Sequence, residues 1–112
     1  MINIKQGDII WASLDPIKGH EQAGLRPVLI LQNDLFNEHL GTVLVVPLTT
    51  NLHSKNFVST YFLEKGKANL KKDSVLLLHQ LRCIDKSRLQ KKAGEVNLRE
   101  LPAIKLRLAL LL

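Results

Sequence analysis

Short apolar runs alternate with polar turns over the first two-thirds of the chain, and the pattern changes near the C-terminus. Ile9, Trp11 and Ser13 alternate with Ile10, Ala12 and Leu14, and Asp15-Pro16 ends this run as a turn. Residues 27–31 and 42–48 are rich in β-branched side chains and lack polar alternation, the pattern of strands buried on both faces. Residues 57–63 and 74–81 read as two further strands, separated by the polar stretch Glu64 to Asn69. Strands this short and closely spaced predict a mainly β sandwich or small barrel. Pro102 suits the first turn of a helix, so a C-terminal helix is expected to start near Leu101. Leu101, Ile104, Leu108 and Leu111 share one stripe of that helix, and Leu106 and Leu110 widen its apolar surface. The stripe predicts a cap over the core, and the additional leucines predict a contribution to a homodimer interface. Trp11, beside Ile9 on the first strand, is expected in core or dimer packing.

Composition narrows the class. A chain of 112 residues, 46% hydrophobic and 23% charged, predicts one globular domain over 1–112. Cys83 is the single cysteine, which excludes an internal disulfide and a thiolate-rich zinc site. The N-terminus has no signal-peptide pattern, and no apolar run approaches the roughly 18 residues of a membrane span, so a soluble cytoplasmic protein is expected. The net charge of +6 is unevenly spread. Residues 1–54 hold three Lys and Arg against five Asp and Glu, whereas residues 55–112 hold thirteen against five. A one-sided basic excess attracts polyanions, either nucleic acid or an acidic peptide, although a Lys-rich soluble surface would have the same composition.

The densest unusual chemistry lies between the first two strands, in residues 15–27, with two glycines, a His, a Glu, a Gln and an Arg. Such loops on a rigid scaffold are where binding and catalytic groups concentrate, and Gly19 and Gly24 permit backbone angles that other residues avoid. His20-Glu21 could open a zinc-binding helical motif, but the second His would have to stand at position 24, which is Gly24. His39, His53 and His79 show no ligand spacing either, so no metal and no cofactor is expected. Read from composition alone, the loop remains either a solvated crossing or a site.

Several motifs together resemble one family. Gly7-Asp8-Ile9-Ile10-Trp11, Leu14-Asp15-Pro16, the run from Gly19 to Val28, and Gln80-Leu81-Arg82-Cys83-Ile84-Asp85 are similar to the MazF/PemK (Kid) toxins of type II toxin-antitoxin systems. The resemblance implies an SH3-like β-barrel with short helices, a C-terminal helix and a homodimer. It implies a metal-independent mRNA interferase that cuts single-stranded RNA, is inhibited by an acidic antitoxin, and binds DNA together with that antitoxin. A non-catalytic relative of the same fold, such as the gyrase-poisoning CcdB toxins, and a plain SH3-like interaction module are the competing readings.

Cutting RNA without a metal can use the substrate's own 2′-hydroxyl, which requires a base, an acid and donors for the charge of the phosphorane. By resemblance Arg26 matches the family's catalytic Arg, and a guanidinium suits charge stabilisation better than proton donation. Pairing of Arg26 with Glu21 or Asp15 is the structural alternative. Thr49 matches the second catalytic position, and Thr50 assists or closes the turn. The family's later-strand Asp corresponds to His79 here, which is otherwise a half-buried strand histidine, and Glu21 and His20 compete with it as base. Gln22 and Gln80 read as base-edge or loop-positioning groups, and Arg82, Lys72 and the Lys-rich segments 65–72 and 86–92 as phosphate contacts. Only five aromatics occur, which argues against an extensive stacking platform.

Overall fold

The computed structural model describes residues 3–112. Seven antiparallel strands follow one another as β1 (Asp8–Ser13), β2 (Leu25–Ile30), β3 (Thr42–Thr49), β4 (Thr60–Leu63), β5 (Ser74–Leu77), β6 (Arg82–Asp85) and β7 (Leu89–Glu95), with α1 (Asp34–Asn37) after β2 and α2 (Glu100–Ala109) at the end. The sheet runs β4-β5-β3-β2-β1-β7, and β6 pairs with β3 beside β5.

The uninterrupted apolar runs reflect two cores, one on each face of β1 to β3. Ile9, Leu29, Val46 and Leu48 pack with Leu63, Leu76 and Leu78 and with Leu101 and Ile104 of α2. On the other face Ile10, Ala12, Leu14, Val28, Ile30, Val43 and Val45 pack with Ile84. Neighbouring residues of a strand point to opposite faces, so a strand serving two cores cannot show polar alternation.

The expected strand over residues 74–81 stops at Leu77 as β5, and β6 begins only at Arg82. Residues 42–45 of β3 pair with β6, Thr49 and Leu48 pair with β5, and a 3-10 turn at Leu78–Gln80 joins the two partners. From Val45 to Leu48 β3 advances three positions, while its partners span six from Arg82 back to Leu76, and the turn absorbs the excess. The break falls opposite Val46-Pro47, where proline has no N–H for a ladder. Residues 57–59 of the expected strand 57–63 likewise lie outside β4. The Thr60 hydroxyl donates to the carbonyls of Ser54 (2.6 Å) and Phe57 (3.0 Å), closing a turn that leaves Phe57 and Val58 exposed.

Helix α2 starts as expected and buries Leu101 and Ile104, while Leu106 and Leu110 are 71% and 68% exposed and Leu111 lies past the helix end. A polar link fastens the helix to β4. Tyr61 Oη donates to Glu100 Oε2, Lys67 Nζ stands 3.1 Å from Glu100 Oε1, and Arg107 donates to the Thr60 carbonyl at 3.0 Å. Burial, followed by the hydrogen bond and charge of Glu100, pushes the Tyr61 phenol up to about 12, and the Tyr61 hydrogen bond followed by Lys67 pulls Glu100 down. A raised phenol pKa contributes stability that is complete below the ordinary value of about 10 and is lost as pH rises through 12. Tyr61→Phe is therefore expected to lower Tm modestly at neutral pH and to remove part of the loss of Tm between about pH 10 and 12, as measured by thermal melts across that range. An identical alkaline decline in both proteins would contradict the link.

Candidate active site

The long loop from Leu14 to Gly24 returns to the sheet at Leu25-Arg26-Pro27, and strand register decides where Arg26 points. Arg26 lies opposite Ala12 on β1. The β2–β3 ladder ends at the Val28–Pro47 pair, with Arg26 two residues before Val28 and Thr49 two residues after Pro47. Paired residues share a face and residues two apart on a strand keep it, so Arg26 and Thr49 are placed on one side of the sheet.

Arg26 makes no ion pair among the described residues. Its Nε donates to the Ala23 carbonyl at 2.8 Å, an anchor that leaves the two terminal nitrogens available. The acidic groups that could have neutralised it are occupied. Glu21 Oε1 accepts from the Lys18 amide (2.5 Å) and Asp15 Oδ1 from the Gly24 amide (3.1 Å), so both shape the loop. Gly19 and Gly24 adopt φ of +59° and +80°, which the loop uses to turn at its middle and at its return to the sheet. Thr49 Oγ1 accepts from the Asn51 amide at 3.1 Å and keeps its own proton to donate.

Two residues distant in sequence hold this loop. Gln80, on the 3-10 turn, accepts from the Gln22 amide (3.4 Å) and donates to the His20 carbonyl (3.2 Å). Both contacts run from the Gln80 side chain to loop backbone, and the Gln22 side chain takes no part in them. Arg88 donates through Nη1 to the Ser13 carbonyl at 3.1 Å and to that of Asp15, fixing the start of the loop. Nothing in the sequence singles out Arg88, because its partners are backbone atoms more than seventy residues away.

His79 is exposed on the 3-10 turn, not half-buried in a strand, because the register change ends β5 at Leu77. Its Nδ1 lies 3.4 Å from the Ser59 carbonyl, and a proton on that nitrogen leaves Nε2 as the lone-pair side. Through Gln80, the backbone of His20 and Gln22 is drawn against the turn carrying His79, while the side chains of His20 and Glu21 are exposed. Arg82 pairs with Val45, and strand alternation puts its side chain on the Arg26 face; its Nη1 is buried without a hydrogen-bond partner.

Lys72 and Thr50 are not at this loop. They line a separate groove of about 550 Å³, together with Trp11, Pro27, Lys71 and Lys91. Trp11 is thus partly exposed in a groove wall and not part of either core, because the core on its face ends at Ile9 and Leu29. Among the described residues no three His, Cys, Asp or Glu side chains cluster as metal ligands, and no helix is long and apolar enough to cross a membrane.

Comparison with known proteins agrees with this architecture. A family model described as PemK-like, MazF-like toxin of type II toxin-antitoxin system matches residues 5–112. An endoribonuclease MazF of Staphylococcus saprophyticus is 43% identical over 89 residues, covering 80% of this chain and 74% of its own. The crystal structure of MazF (Form-I) from Deinococcus radiodurans superposes with a TM-score of 0.81 at 26% identity, over 96% of this chain and 94% of that one. A MazE-MazF structure (Form-II) from the same organism matches with a TM-score of 0.74 at 25% identity and the same coverage.

Proposed function

The chain belongs to the PemK-like, MazF-like toxins of type II toxin-antitoxin systems, and from that premise we propose that it is a metal-independent endoribonuclease that cuts single-stranded mRNA at selected sequences. The observation that carries the proposal is the shared face of Arg26 and Thr49, with the guanidinium anchored at Nε and unpaired at its terminal nitrogens.

The proposed reaction assigns each of these groups a role. A base removes the proton of a ribose 2′-hydroxyl, O2′ attacks the adjacent phosphorus, and the P–O5′ bond breaks as O5′ takes up a proton. The products are a 2′,3′-cyclic phosphate and a 5′-hydroxyl. Arg26 binds the non-bridging oxygens as negative charge builds on the phosphorane, and the Thr49 hydroxyl donates to one of them. Arg82, placed on the same face by its pairing with Val45, supplies a further cation. His79 serves as the base through Nε2, with Nδ1 directed at the Ser59 carbonyl. Glu21 and His20, on the loop held by Gln80, are its competitors.

His79→Ala is expected to slow cleavage by about 10²- to 10⁴-fold while leaving affinity for an uncleavable RNA nearly intact. Single-turnover rates and binding titrations measure both. An unimpaired rate would pass the base role to Glu21 or His20. The 2′-hydroxyl route is tested by placing one 2′-deoxynucleotide immediately before a mapped cut site, which is expected to abolish cleavage at that site alone.

Two partners complete the reading. The exposed Leu106 and Leu110 of α2 support a homodimer interface, and the basic excess after residue 55 supports binding of an acidic antitoxin of the MazE kind.

A further inference from the structure

The Trp11 groove lies on the reverse side of the β1–β2 hairpin from the candidate active site. Trp11 and Pro27 are direct partners across β1 and β2, one position from the Ala12–Arg26 pair, so their side chains leave the opposite face. That face is core at Ile9 and Leu29 and opens into the groove at Trp11 and Pro27. Trp11, Pro27, Leu70 and Ala93 form an apolar wall, while Lys71, Lys72 and Lys91 bring three cations to the same space.

The charge there is uncompensated. No Asp or Glu lines the groove, and the ion pairs among the described residues are Lys67–Glu100, Lys92–Asp8 and Lys92–Glu95. Asp73, the carboxylate adjacent in sequence, accepts from the Lys65 amide at 2.7 Å instead. An indole face with unpaired lysines is the combination that holds single-stranded nucleic acid, with a base stacked on the ring and phosphates on the cations. A volume of about 550 Å³ is in the range of small-ligand pockets.

The two sites meet at Thr49-Thr50. Strand alternation gives Thr49 to the Arg26 face, and Thr50, the next residue, lines the groove. A strand bound at Arg26 can therefore cross the end of β3 and enter the groove. We infer that the Trp11 groove is a second nucleotide subsite, in which a base flanking the cut stacks on Trp11 and its phosphates contact Lys71, Lys72 and Lys91. This inference rests on the endoribonuclease reading for the identity of its ligand.

Trp11 is the only tryptophan, so its fluorescence reports on this groove directly. A fully 2′-O-methylated single-stranded oligoribonucleotide has no free 2′-hydroxyl, which separates binding from cutting. Titration with it is expected to change Trp11 emission saturably, with log K falling linearly against log salt. Lys71→Ala and Lys91→Ala should each weaken binding and reduce that slope by about 0.7, and Trp11→Leu should weaken binding roughly tenfold as read by anisotropy of a labelled oligonucleotide. The exposed lysine variants keep the test valid if Trp11→Leu fails to fold. Saturation by anisotropy without a change in Trp11 emission, no binding at all, slopes unaltered in both lysine variants, or a response to a Glu-rich peptide but not to RNA would each overturn the subsite. Cutting of native RNA is assayed separately. A Trp11 response with no cutting would remove the nuclease reading and leave the subsite, and cutting with no Trp11 response would do the reverse.

Discussion

Arg26→Ala is expected to lower the rate of RNA cleavage by about 10²- to 10³-fold, the cost of removing one donor aimed at charge that develops in a transition state. The loss should lie in the chemical step. In the proposed mechanism ground-state phosphates are also held by other cations, whereas Arg26, on the face shared with Thr49, acts on the charge of the phosphorane. Folding should be little affected, because Arg26 contributes a single hydrogen bond, to Ala23, and no ion pair among the described residues. Arg26→Lys should recover only part of the rate, since an ammonium restores the charge without the planar two-pronged donor geometry. Single-turnover rates and thermal melts separate these effects. A rate loss matched by a collapse in Tm would make Arg26 a structural residue.

The second large effect is on the fold. A Cβ added at Gly94 would lie 1.9 Å from the carbonyl oxygen of Ala68, far inside any contact that atoms tolerate. The obstruction is backbone, not a side chain that could swing away. It belongs to the segment Lys67–Asn69, which crosses β7 with Ala68 and Asn69 held at φ of +55° and +60°. That segment also carries Lys67, the partner of Glu100 on α2. Gly94→Ala must therefore displace either β7, which pairs with β1, or the loop that helps to hold α2. A cost of about 3 kcal/mol or more is expected, and with it a fall in Tm of roughly 10–20 °C. Gly24→Ala differs in kind, since nothing lies within 4 Å of the added atom and only the positive φ penalises it. Equal melting curves for Gly94→Ala and the parent would contradict the packing described for β7.

What the sequence made legible follows from the reach of each signal. β1, β2 and β3 are readable because their apolar runs serve two cores, and α2 because its proline and leucine stripe are local. The division between β5 and β6 is not readable, since it is imposed by Pro47 on another strand. β7 is missed because four of its seven residues are polar or charged and it pairs along one edge through bulges, so its lysines read only as a basic surface. Arg26 and Thr49 stand out through the family motifs, but their common face is a matter of register. Gln80 is recognisable as a polar residue near the site, whereas its grip on the loop at His20 and Gln22 is a tertiary fact. Trp11 departs from the expected core packing for a physical reason. It continues the alternation of Ile9, but the core on that face stops before it.

Cleavage of single-stranded RNA by the chain's own side chains and the substrate's 2′-hydroxyl is tested by incubation with a long single-stranded RNA in excess EDTA, followed by analysis of the fragment ends. Discrete fragments carrying 2′,3′-cyclic phosphate and 5′-hydroxyl ends, formed by the parent protein and not by Arg26→Ala, are the predicted result. Intact RNA, fragments with 5′-phosphates, or equal cutting by Arg26→Ala would contradict it.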